Sequence, residues 1–80
     1  KDMNKSRRAQ LRKVFDLLAN ARALLEELIQ EEREALDNTP ESLQQGDRYE
    51  QATEDCDQLD EHLTELETME ENLEEICNRK

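Results

Sequence analysis

Over two long stretches of this 80-residue chain, apolar residues recur at spacings that alternate between three and four, and neither stretch contains a glycine or a proline. That period places the apolar side chains along one stripe of an α-helix. The single Gly and the single Pro both fall between the two stretches, at Pro40 and Gly46, where breaks belong. The pattern predicts an all-α fold, a coiled-coil-like hairpin of two long antiparallel helices. In an aperiodic chain, 41% charged residues and a net charge of −11 would point to disorder. Here the heptad spacing outweighs that composition.

The first helix is expected over about residues 5–37, with a stripe of Leu11, Val14, Leu18, Ala21, Leu25, Leu28 and Ala35. Phe15, Ile29 and Leu36 flank it on one side, Leu17 and Leu24 on the other, so the apolar face is wider than one partner helix covers. The second helix is expected over about 47–78, with a narrower stripe: Tyr49, Ala52, Cys56, Leu59, Leu63, Leu66, Glu70, Leu73 and Cys77. The corner spans 38–46. There Thr39 suits a cap ahead of Pro40 for a short helical turn. Gly46 is expected to end that turn in a left-handed conformation, and Asp47 with Glu50 to form a capping box for the second helix. Residues 1–80 thus make a single domain.

A turn near residue 42 sets Leu11 opposite Leu73, Leu18 opposite Leu66, Leu25 opposite Leu59, Leu28 opposite Cys56 and Ala35 opposite Tyr49. Small residues then face large ones, as interdigitation requires. Two helices with so thin a core bury little. The broad flank of Phe15, Leu17, Leu24 and Ile29 is therefore expected to be an oligomer seam, closing a homodimeric four-helix bundle.

Charge is divided as unevenly as hydropathy is regular. Residues 1–13 carry six bases against one acid, whereas residues 47–80 carry thirteen acids against Arg48, Arg79 and Lys80. The expected register lays the basic start beside Glu70, Glu71, Glu74 and Glu75, each cluster relieving the other at the unfavourable end of its helix dipole.

Motifs of catalysis and metal binding are missing from the sequence. A di-iron bundle needs Glu-x-x-His, but Leu59 stands three before His62, the only histidine. There is no Cys-x-x-Cys, no paired-histidine spacing, no Asp-rich calcium loop and no glycine-rich phosphate loop. Cys56 and Cys77 lie about 30 Å apart on one helix, too far to bridge, and read as small core residues. No cofactor, no metal and no enzymatic activity are expected. No apolar run reaches the roughly 18 residues of a membrane span, so the chain reads as a cytoplasmic protein without membrane contact. The basic start lacks aromatic residues for stacking, which argues against direct nucleic-acid binding.

The functional candidate is the acidic face of the second helix. Glu50, Glu54, Asp57, Glu61 and Glu65 form a ladder at helical spacing, with like charges at i,i+4 that repel by a few tenths of a kcal/mol each. Such a ladder suits a protein partner with a basic groove, imitating a row of phosphates; the plainer alternative is a solubilising surface on a structural dimerisation module.

The stretch from Glu32 to Gln44, with its Asp37-Asn38-Thr39-Pro40-Glu41-Ser42 corner, followed by Arg48-Tyr49-Glu50 and an acidic heptad helix, resembles small uncharacterised helical-hairpin proteins of bacterial phages and mobile elements. The resemblance implies a bacterial host cell and a mobile-element setting, where small inhibitors of host defence are common.

Overall fold

A computed structural model describes residues 3–79, and among them the chain is entirely helical. Helix α1 spans Lys5–Asp37, a 3-10 turn covers Glu41–Leu43, and α2 spans Asp47–Cys77. The two long helices pack against each other in a rod of 60 × 16 × 13 Å. Asn4 caps α1 with its side-chain oxygen, which accepts the Arg7 N–H at 2.8 Å and so satisfies one of the four donors a helix start leaves open.

The corner has the expected length but different chemistry. The Thr39 hydroxyl points back into α1 and donates to the Ala35 carbonyl at 3.0 Å. Pro40, with φ −57° and ψ 143°, takes the cap position of the 3-10 turn instead. Gly46 is not left-handed: its φ is −82° and its ψ 158°, and it serves as the cap of α2 without a side chain to offer. Asp47 is therefore the first helical residue rather than the cap. It acts together with Glu50 as negative charge in the first turn, where the helix dipole favours it.

The seam of α2 is the expected one. Cys56 and Cys77 are buried, both as free thiols, and Tyr49, Ala52, Leu59, Leu63, Leu66, Glu70 and Leu73 are half-buried. On α1 the seam is turned by one residue. Ile29 and Leu36 are buried and Leu11, Phe15, Leu18, Arg22 and Leu25 half-buried, whereas Val14, Ala21, Leu28 and Ala35 are exposed. Two overlapping heptad frames run along α1, and a single partner helix covers only one. The frame that wins places Phe15, Ile29 and Leu36 inward in place of Val14, Leu28 and Ala35, which removes more apolar surface from water. It also brings the Arg22 guanidinium to the Glu70 carboxylate across the seam.

The register is displaced from the expected one by about a helical turn. Leu36 shares a hollow with Ala52 as well as Tyr49, Phe15 faces a hollow lined by Glu67 and Glu74, and Arg22 reaches Glu70. The cause is the corner, where extended Pro40 and the steep rise of a 3-10 turn carry the chain past the end of α1 before α2 begins. The rod is accordingly longer than the roughly 50 Å of α1 alone.

Candidate protein-binding surfaces

Three surfaces stand out, and each follows from the geometry of the hairpin. The first is the acidic ladder. Glu50, Glu54, Asp57, Glu61 and Glu65 are all exposed. At 100° per residue they fall within an arc of roughly 80° and about 22 Å of helix, on the side of α2 roughly opposite its seam. Two of the five have partners inside the chain. Arg33 reaches over from α1 to Asp57 at 3.2 Å and also pairs with Asp60. Its guanidinium pKa is raised first by the Asp60 hydrogen bond and then by that of Asp57. A hydrogen bond of 2.6 Å joins Glu65 and the exposed His62 ring at Nδ1. Among the described residues, Glu50, Glu54 and Glu61 pair with no cation. Asp60 had no sequence signal of its own, because only the observed stagger brings Arg33 within its reach.

The second surface is the basic start of α1. Lys5, Arg7, Arg8, Arg12 and Lys13 make no ion pair with any acid of α2, so the expected neutralisation by Glu70, Glu71, Glu74 and Glu75 is not realised. Arg12 instead lies over the Phe15 ring, 5.4 Å from its centroid, a cation–π contact. Glu70 is taken by Arg22, and Glu75 meets Arg79 at 3.8 Å.

The third surface is apolar. The four residues expected to form one oligomer seam divide between two faces: Phe15 and Ile29 belong to the intramolecular seam, while Leu17 and Leu24 are 70% and 67% exposed. Val14, Ala21 and Leu28 are exposed with them. Together these five positions make a second stripe with the same alternation of three and four.

Cys56 has no exposed surface, and burial pushes its thiol pKa up, away from the thiolate a nucleophile needs. Among the described residues no group of three or more His, Cys, Asp or Glu is placed to hold a metal ion, and no helix is long and apolar enough to cross a membrane. Fold and surface together define an acidic helical hairpin. Comparison with protein-family models, curated proteins and solved structures finds no match.

Proposed function

We propose that this protein is a non-enzymatic binding module whose acidic face on α2 docks into the basic groove of a protein partner, of the kind that otherwise holds nucleic acid. The observation that carries this reading is the row of Glu50, Glu54 and Glu61, exposed on one face of a long helix and in no ion pair among the described residues. Like charges at helical spacing destabilise the helix that bears them, and a cationic groove relieves that repulsion while the field of the ladder speeds encounter. The resemblance at the corner fits an inhibitor from a phage or mobile element that acts on a host defence or nucleic-acid-binding protein in the bacterial cytoplasm.

The test is charge reversal at Glu50, Glu54 and Glu61 to Lys, which leaves the Arg33 pairs intact. Wild-type protein immobilised on a resin should retain from bacterial lysate a protein that duplex DNA displaces, and the folded triple variant should retain none of it. Equal retention by the variant, or retention that DNA does not affect, refutes the reading. The exposed stripe from Val14 to Leu28 favours a second role, self-association, which is compatible with the first.

A further inference from the structure

We infer that the exposed stripe of α1 is an interface with a second copy of this chain, in which the two α1 helices run antiparallel about a two-fold axis near residue 19. The stripe consists of Val14, Leu17, Ala21, Leu24 and Leu28, and Val14 and Leu28, its ends, are 50% and 53% exposed. At 100° per residue its centre lies about 95° around α1 from the seam that faces α2. That is the angle at which one helix of a four-helix arrangement meets its two neighbours. The hairpin has reason to add a neighbour, since only Ile29, Leu36, Cys56 and Cys77 are buried among the described residues.

Charge selects the occupant and its direction. The frame of the stripe continues to Arg7 and Gln10 at one end and to Glu31 at the other, flanked by Lys13 and by Glu27 and Glu34. An antiparallel copy in register sets Val14 against Leu24, Leu17 against the small Ala21 and Leu28 against Gln10 in the layered packing of antiparallel helices. The same register sets Arg7 opposite Glu31 and brings Lys13, on the flank, to within two residues of the position opposite Glu27, and the two-fold axis repeats each pair. A parallel copy would place bases against bases and acids against acids. The basic start, which finds no acid on α2, thereby gains partners, and Arg7, Lys13, Glu27 and Glu31 are in no ion pair among the described residues that the contact would disrupt. On α2, Met69 is the only large apolar side chain left exposed, so α1 makes the contact and the acidic ladder stays outward. This interface is independent of the acidic-face reading.

Sedimentation velocity across a range of concentrations tests the proposal. Wild-type protein should sediment as a dimer, and Leu17→Glu with Leu24→Glu as a monomer of unchanged helicity, because both side chains are exposed in the single hairpin. Direction is tested by charge exchange. Arg7→Glu with Lys13→Glu, and separately Glu27→Lys with Glu31→Lys, should each weaken self-association by about tenfold or more, while an equimolar mixture of the two variants should restore the dimer. A wild-type protein that is monomeric throughout, or a dimer indifferent to the Leu17 and Leu24 substitutions, overturns the interface. Failure of the mixture to associate overturns the antiparallel arrangement.

Discussion

Ile29 and Leu28 are neighbours in sequence, both apolar, and the structure assigns them opposite fates: 5% exposed against 53%. Replacing each by Ala therefore measures which heptad frame of α1 faces α2. Burying an aliphatic side chain completely is worth about 1.5–3 kcal/mol, and Ile→Ala in a core costs about 2–5 kcal/mol once the cavity is included. A two-helix seam collapses around a vacancy more readily than a deep core, and Ala regains up to about 0.7 kcal/mol of helix propensity. Ile29→Ala should accordingly cost about 2–3 kcal/mol. Leu28 removes about half as much surface from water in the hairpin, so Leu28→Ala should cost less than about 1 kcal/mol there.

For a chain of this size each kcal/mol moves the melting temperature by about 4–8 °C. Ile29→Ala should thus lower it by roughly 10–20 °C and Leu28→Ala by no more than about 8 °C, followed by circular dichroism. The melts need to span a hundredfold range of protein concentration, because association stabilises the folded state by mass action. A Leu28→Ala loss that disappears on dilution belongs to contact between copies, whereas the Ile29→Ala loss should persist. Equal losses in dilute solution, or a larger one for Leu28→Ala, would refute the assignment of the seam.

Two further outcomes follow from the corner and the core. Gly46→Ser should raise the melting temperature by about 2–8 °C, since a Cβ at Gly46 meets only the Leu43 carbonyl oxygen at 3.4 Å, an ordinary contact, and a serine adds a cap worth about 0.5–1 kcal/mol together with reduced unfolded-chain entropy; a loss would mean that the site needs a left-handed residue. Because burial raises the Cys56 thiol pKa above its unfolded value, the unfolded chain releases that proton first, so this contribution to stability is whole below about pH 8.5 and declines as pH rises further. Melts of wild type and Cys56→Ala over that range check the sign, and a wild-type decline that Cys56→Ala fails to reduce would refute it.

Most of the fold is legible in the sequence because punctuation is so sparse. With no Gly or Pro inside either stretch, Lys5–Asp37 and Asp47–Cys77 match the expected helices to within a residue. The α2 seam is legible for a further reason: its apolar residues occupy a single frame, so periodicity has one solution. On α1 two frames compete, and the outcome depends on the bulk of Phe15, Ile29 and Leu36 and on the reach of Arg22 to Glu70, neither of which spacing encodes. The register escaped sequence reasoning because it is set by backbone at the corner. Pro40 and Gly46 adopt extended conformations with no distinctive side-chain signal, and the length they add shifts cross-helix contacts such as those of Leu36, Arg22 and Arg33. That shift decides the surfaces too, by joining Arg33 to Asp57 and Asp60.

The charge pattern of α1 is reversed with respect to its own dipole. Its first turn holds no acid but carries Lys5, Arg7 and Arg8, and its last turn holds no base but carries Glu34 and Asp37. Each such charge costs about 0.3–1 kcal/mol when exposed at low salt, so an isolated α1 would be better served by the opposite order. Neutralisation by α2 does not resolve the conflict: the bases of the first turns form no ion pair with α2, and the acids of the last turn meet a second helix that is itself acidic. An antiparallel copy of α1 resolves it at both ends at once, setting the cationic end of one helix beside the anionic half of the other. On the two proposals together the helices divide the work: α1 would hold the copies together through a self-complementary stripe, and α2 would present Glu50, Glu54 and Glu61 to a cationic partner surface.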